Sequence, residues 1–233
     1  MQAREAAAHR IFATGSCKID IKNGFKIAYH DEQPEAPRSP FYLNLRRTGV
    51  KEGTLEPSDI DTISQSMLLL GTQAGLFQSG RAVCSIPAAG DPYLDAIMRF
   101  LPSQGIELRR FALEKYELKG KRAFRLHPDN IAVWKRALMI DDLVTSALTK
   151  RLAAGALTKM RGGVSDLLVF LNRSNTVEAE LRELGIHLHA VWAFEELMEW
   201  ALGHAYLTRP QFEAIIAYPA KLEKFKQRVA MST

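Results

Sequence analysis

The stretch RALMIDDLVTSALTK, Arg136 to Lys150, decides the fold. A short apolar run ends in two adjacent acids, a Thr-Ser pair follows, and a helical pattern begins. Strand, acidic turn and helix in that order put two carboxylates beyond the carboxyl end of a strand. That is where an open parallel sheet binds its ligands. Acids so placed can accept hydrogen bonds from ribose hydroxyls and hold a hydrated Mg²⁺. The helix that opens next offers free N–H groups and the positive end of its dipole to a phosphate. Thr145, Ser146 and Thr149 add hydroxyl donors.

Outward from this turn, strands and helices alternate. Upstream, AVCSI reads as a short buried strand, PAAGDP as a loop, YLDAIMRFL as a helix and ELRRFAL as a further strand. Downstream come the strand DLLVFLN, the helix TVEAELRELG and the strand HLHAVWA. This order predicts an α/β fold, a mainly parallel sheet with helices on both faces. Ahead of it, residues 1 to 14 have helical spacing at Ala6, Ala7, Ile11 and Phe12, with Gly15 as a stop. KIDIKNGFKIAY predicts a hairpin about Asn23-Gly24, HDEQPEAPRSP a loop, FYLNLR a strand, and Asp59 to Gly71 a helix capped by Ser58 or Asp59. The tail from Phe194 to Thr233 reads as helical, broken at Pro210 and Pro219. We divide one domain, 1–233, into an N-terminal helix and hood segment (1–58), an α/β core (59–193) and C-terminal helices (194–233).

Lys and Arg outnumber Asp and Glu, 31 to 26, which suits an anionic ligand such as a polyphosphate. No Lys/Arg run is long enough for a nucleic-acid-binding tail. Cys17 and Cys84 lie far apart without a CxxC, as in a reduced cytosolic protein. The first fifteen residues lack the apolar core of a signal peptide, and SMLLLG is too short to span a bilayer. The expectation is a cytoplasmic protein with no membrane partner. His187 and His189 share one face of a strand, but no third metal ligand stands near in the sequence.

IDDLVTSALTK resembles the phosphoribosyl pyrophosphate (PRPP) motif of type I phosphoribosyltransferases. Other stretches fall in the order of one family among them, the orotate phosphoribosyltransferases. These are FKIAY with SPFYLNLR, SIPAAGDP, FLNRSNTVEAELRELGIHLHAVWAFEEL and HAYLTRPQFEAIIAY. The resemblance spans roughly residues 20 to 220. It implies the type I phosphoribosyltransferase fold with an N-terminal hood hairpin. It also implies transfer of phosphoribosyl from PRPP to orotate, giving orotidine 5′-monophosphate and pyrophosphate in pyrimidine biosynthesis, with Mg²⁺ as cofactor. Asp141 and Asp142 would hold the ribose hydroxyls and, indirectly, the magnesium. The turn Thr145, Ser146, Ala147, Leu148, Thr149 would cradle the 5-phosphate, and the loop carrying Ala89 and Gly90 the pyrophosphate. Lys26, Tyr42 and Arg173 would face the base. The catalytic roles fall on Asp142 and on the basic segment, where Lys115 and Lys119 both stand as candidates. That segment, Glu114 to Asn130, fits a lid. The family forms homodimers in which this loop reaches the partner's active site.

The sequence departs from the family at four places. Ala147 and Leu148 stand where it has glycine and a second small residue. If that glycine needs a positive φ, alanine costs about 1 kcal/mol. HDEQPEAPR is longer than the family's link, Asn172 replaces an acid before Arg173, and the basic loop reads EKYELKGKRAF. These departures keep two alternatives open: a phosphoribosyltransferase for another base, or a non-catalytic PRPP- or nucleotide-binding regulator of the same fold.

Overall fold

The computed structural model describes residues 2–118, 121–126, 136–159 and 162–230. Five parallel strands form the central sheet: β3 (Ala82–Ser85), β4 (Arg109–Arg110), β7 (Ala137–Val144), β8 (Val164–Asn172) and β9 (His187–Ala193). Their spatial order is β4-β3-β7-β8-β9. From β3 the chain moves outward to β4, then returns past β3 to lay down β7, β8 and β9. The direction of winding therefore switches between β3 and β7, and loops diverge there to leave a crevice.

Alternation along the strands gives the sheet two buried faces. Leu138, Ile140, Leu168 and Phe170 face one core with α1 (Gln2–Ala13), α2 (Pro57–Gln73), α3 (Asp91–Phe100), α6 (Phe194–Gly203) and α7 (Arg209–Ala230). Ala137, Met139, Leu167 and Val169 face a second core with α4 (Leu148–Lys159) and α5 (Val177–Glu183). The basic segment is a two-stranded antiparallel hairpin, β5 (Leu113–Leu118) and β6 (Lys121–Leu126), anchored in this second core by Leu113 and Phe124. Lys119 and residues 127–130 of the expected lid lie outside the described residues. The strand expected over ELRRFAL is shorter: only Arg109–Arg110 pairs with β3, and Leu113 already belongs to the hairpin.

Three expectations are corrected. The hood hairpin does not fold back on itself at Asn23-Gly24. Strand β1 (Cys17–Ile19) pairs antiparallel with β2 (Phe41–Leu43), across the intervening residues 20–40, and FKIAY supplies only a bridge from Phe25 to Ser39. Asn23-Gly24 is still a tight turn, closed by Asp20, whose Oδ1 accepts the N–H groups of Lys22 and Asn23. Gly24 has φ +64°, and a Cβ there would lie 2.7 Å from Arg38 Cβ, so the turn needs glycine. Second, α2 begins at Pro57, and Asp59 is not its cap but the residue that reaches back to the Glu56 N–H, 2.9 Å away. Third, Pro219 does not end α7. Leu222 and Phe225 carry its apolar stripe past the proline, with Phe225 edge-on to Tyr29.

Candidate active site

A cleft of about 220 Å³ opens beyond the carboxyl ends of β3 and β7, at the switch point of the sheet. Asp141 and Asp142 form one wall; they lie within β7, which pairs with β8 on to Val144, and not in a turn beyond the strand as expected. Thr145, Ser146 and Thr149 come from the turn into α4, Pro87 and Ala89 from the loop after β3, and Lys115 from β5. Arg46 and Lys51, from the segment between β2 and α2, and Lys150 also line the cleft. Sequence reasoning missed these three, because each reaches the site through a loop path or a side-chain direction that local pattern does not show.

The loop after β3 is held close to the acid turn. Ile86 N–H donates to Ile140 O at 3.0 Å, and Gly90 N–H to Ile86 O at 2.8 Å. A Cβ on Gly90 would lie 2.4 Å from Ile140 O, so glycine here serves the approach of two backbones. Ala88, at the tip, has φ +71°. Asp91 shapes that tip: its carboxylate accepts from Ser85 Oγ and, at 2.8 Å, from the Ala88 N–H.

The two acids are in unlike states of engagement. Asp141 Oδ1 accepts the Asp142 N–H at 2.9 Å and Oδ2 takes Lys150 Nζ at 2.6 Å, so both its oxygens are bound internally. The Lys150–Asp141 pair is almost fully buried, with 6% and 4% of the side chains exposed. Losing one partner of such a pair costs about 3–5 kcal/mol, because the other charge is left unpaired. Lys150 Nζ also donates to Leu143 O at 3.0 Å, bridging from the first turn of α4 back to β7. Asp142 Oδ1 accepts the Leu143 N–H at 2.7 Å. Burial, and then the neighbouring Asp141 carboxylate, push the Asp142 carboxyl well above its usual range.

The turn after the acids carries no strain at Ala147. Among the described residues, the non-glycine residues of positive φ are Lys51, Glu52, Ala88 and Ala205. The expected penalty for alanine at this place is therefore absent, because the turn runs into α4 without a left-handed residue. Ala147 is instead wholly buried in the second core. Its N–H points to Glu180 Oε2 at 3.4 Å, so an anionic oxygen already stands at the helix N-terminus. Leu148 is 62% exposed and takes no part in the packing.

Arg173 follows β8, its N–H bonded to Val144 O at 2.8 Å, so it stands beside the acid turn. Its guanidinium lies 5.1 Å from the Phe41 ring and 6.0 Å from that of Phe194. Among the described residues it has no carboxylate in ion-pair contact. Burial lowers its pKa, while Cys17, Asp142 and Tyr218 oppose that shift. Tyr42 alternates with Phe41 along β2 and so faces the other side, where it packs on Phe25; Lys26 is exposed next to that contact. The structure thus brings Arg173 near the acids and leaves Lys26 and Tyr42 on another face. His189 Nε2 lies 2.9 Å from an Asp166 carboxylate oxygen, and the described residues hold no group of three metal-binding side chains. Burial pushes the Cys17 thiol up to about 12 and Cys84 higher still.

Sheet order, switch-point cleft, acid pair and flanking loops together define the type I phosphoribosyltransferase fold. Within that fold, the proteins this chain is similar to include orotate phosphoribosyltransferases. The enzyme of that name from Pyrobaculum aerophilum is 29% identical over 184 residues, covering 77% of this chain and 85% of the relative. That from Saccharolobus solfataricus is 29% identical over 87 residues, 37% of this chain and 45% of the relative. Leishmania donovani UMP synthase superposes over 94% of this chain with a TM-score of 0.66 and 20% identity. The orotate phosphoribosyltransferase of Aeropyrum pernix superposes over 84% of this chain and 98% of its own, with a TM-score of 0.61 and 19% identity. The match spans less than half the length of the S. solfataricus enzyme and of UMP synthase. No protein-family model matches the chain.

Proposed function

We propose that this protein transfers a phosphoribosyl group from PRPP to orotate, releasing pyrophosphate and forming orotidine 5′-monophosphate. The observation that carries the reading is the cleft itself. It gathers an acid pair, a hydroxyl-rich helix N-terminus, a tight backbone loop and the cations Arg46, Lys51 and Lys115 within about 220 Å³. In this reading the hydroxyls of Thr145, Ser146 and Thr149, with the N–H groups of the turn other than that of Ala147, which faces Glu180, take the 5-phosphate at the positive end of α4. The loop at Ala89 and Gly90 and the cations take the pyrophosphate. As pyrophosphate departs, C1 of the ribose gains cationic character, and fixed positive charge stabilises the leaving anion. No covalent nucleophile is needed.

The donor set fits magnesium brought in on PRPP. Asp142 stands at the wall of the cleft with a carboxyl oxygen besides the one that accepts the Leu143 N–H, and Mg²⁺ is commonly held by one or two carboxylates plus substrate phosphates. When bound, it would neutralise pyrophosphate oxygens. Arg173 is the base-recognising residue: a half-buried guanidinium without an acid offers its fork to the carboxylate or carbonyls of orotate. The protein acts in the cytoplasm as a homodimer, and Lys119, which follows β5 in the sequence, serves the partner's site. Mixing protein, PRPP, Mg²⁺ and orotate should lower orotate's ultraviolet absorbance. Heat released on PRPP binding with no change in absorbance would remove the transfer reaction or the base from this proposal.

A further inference from the structure

We propose that Lys150 is a positioning residue for the PRPP site: its ammonium bridges Asp141 Oδ2 and Leu143 O, fixes the acid turn on α4, and leaves Asp142 alone to meet the ligand. The inference deepens the reading of the cleft as a PRPP site and rests on it.

The argument starts from the engagement of oxygens. Asp141 has none to spare, since one accepts the Asp142 N–H and the other the Lys150 ammonium. Asp142 Oδ1 accepts the Leu143 N–H, and its carboxyl lines the cleft beside Asp141. A pair of adjacent acids thus divides its work. Asp141 with Lys150 is an internal support, and Asp142 is the acceptor for ribose hydroxyls. The second bond of Lys150, 3.0 Å to Leu143 O, settles what the support holds. It ties the start of α4 to the strand before it, so the intervening residues 144–149 form a closed turn of fixed shape. In a turn that carries Ala147 and Leu148 instead of glycine, the side-chain bridge sets the path. Arg151 N–H on Ala147 O, at 2.7 Å, fastens the same helix start from the other side. The phosphate-facing N–H groups are therefore aimed before the ligand arrives, which spares ordering cost on binding.

The test is calorimetric titration with PRPP and Mg²⁺, together with thermal melting, on five proteins: wild type, Asp142→Asn, Asp141→Asn, Lys150→Met and the Lys150→Met/Asp141→Asn double variant. Asp142→Asn should keep its melting temperature and lose PRPP affinity by about tenfold or more, the loss of one carboxyl acceptor. Asp141→Asn should melt lower but lose less affinity than Asp142→Asn. Lys150→Met should melt lower and bind PRPP about tenfold more weakly, as a loosened site does. The double variant removes both buried charges, so its melting temperature should recover. Its PRPP affinity should stay low, because the bridge to Leu143 O is still missing. Recovery of stability without recovery of affinity is the signature a purely structural ion pair does not give. If Lys150→Met alone does not fold, the double variant decides. Wild-type affinity in either Lys150 variant overturns the inference, and so does equal loss of affinity in Asp141→Asn and Asp142→Asn. No heat from the wild type itself would bring down the PRPP reading and this inference with it.

Discussion

At the scale of the residue, backbone strain sits in the loop after β3 rather than in the phosphate turn. Ala88 holds φ +71° while exposed, and Ala147 is buried without positive φ. The two alanines should respond oppositely to glycine. Ala147→Gly removes a buried methyl and loosens a helix start, together about 1 kcal/mol or more. In a chain of this size that lowers the melting temperature by about 2–4 °C. Ala88→Gly relieves a left-handed alanine, about 1–2 kcal/mol, against a smaller entropic loss. Its melting temperature should equal or exceed that of the wild type. Should Ala88→Gly melt below Ala147→Gly, the placement of strain is wrong. Arg173 makes the second case at this scale. Arg173→Lys keeps a charge but loses the planar fork and its seat over Phe41 and Phe194. The KM for orotate should rise about tenfold, and that for PRPP much less, since the acids and the turn are untouched. Equal rises in both would place Arg173 away from the base.

At the scale of the element, the amino ends of the strands carry their own device. Arg81, just before β3, pairs with Asp166 on β8 and bonds Ser165 Oγ at 3.1 Å; His189 on β9 bonds the same Asp166. Burial alone would raise the Asp166 pKa, but the bonds from His189, Ser165 and Arg81 outweigh it and hold the carboxyl well below its ordinary range. A depressed folded-state pKa contributes stability that is complete above the ordinary value of about 3.9 and is lost as pH falls through the folded-state value. Asp166→Asn should therefore melt below wild type at pH 7, and the gap should narrow only as pH drops below about 4. A gap independent of pH would mean that Asp166 acts through packing alone. None of this network was legible in the sequence. His187 and His189 showed only a shared strand face, and Arg81 and Asp166 are partners 85 residues apart. The alternation of strands and helices from Ala82 onward was legible, because buried parallel strands read as apolar runs and their helices keep a 3.6-residue period. The hood was not, because Asn23-Gly24 announces a turn but not which strand pairs after it. Lys150 stayed hidden for a like reason: its spacing shows a helix residue, and only the folded turn shows its ammonium pointing back to Asp141.

At the scale of the whole molecule, the open matter is how many chains build one site. The resemblance implies that the basic loop crosses to a partner, and Lys119 carries that expectation. Lys115, four residues earlier on β5, already lines the cleft of its own chain together with Asp142. The β5–β6 hairpin is anchored by Leu113 and Phe124 in the second core of the same subunit. Its base is therefore bound in place, and only residues beyond it can reach across. Two mixing experiments separate these contributions. Subunits with Asp142→Asn and subunits with Lys115→Ala, exchanged by mild denaturation and refolding, should not complement. Each site in the heterodimer keeps one lesion or the other when both residues come from one chain. Asp142→Asn mixed with Lys119→Ala should complement if Lys119 crosses. Random reassortment makes about half the dimers mixed, each with one site free of lesions, so about a quarter of all sites become whole. Recovery with Lys115→Ala would show that the entire hairpin serves the neighbouring site and that its anchoring in its own core is compatible with reaching out. Failure of both mixtures, with heterodimers verified by mass, would leave each chain to complete its own site.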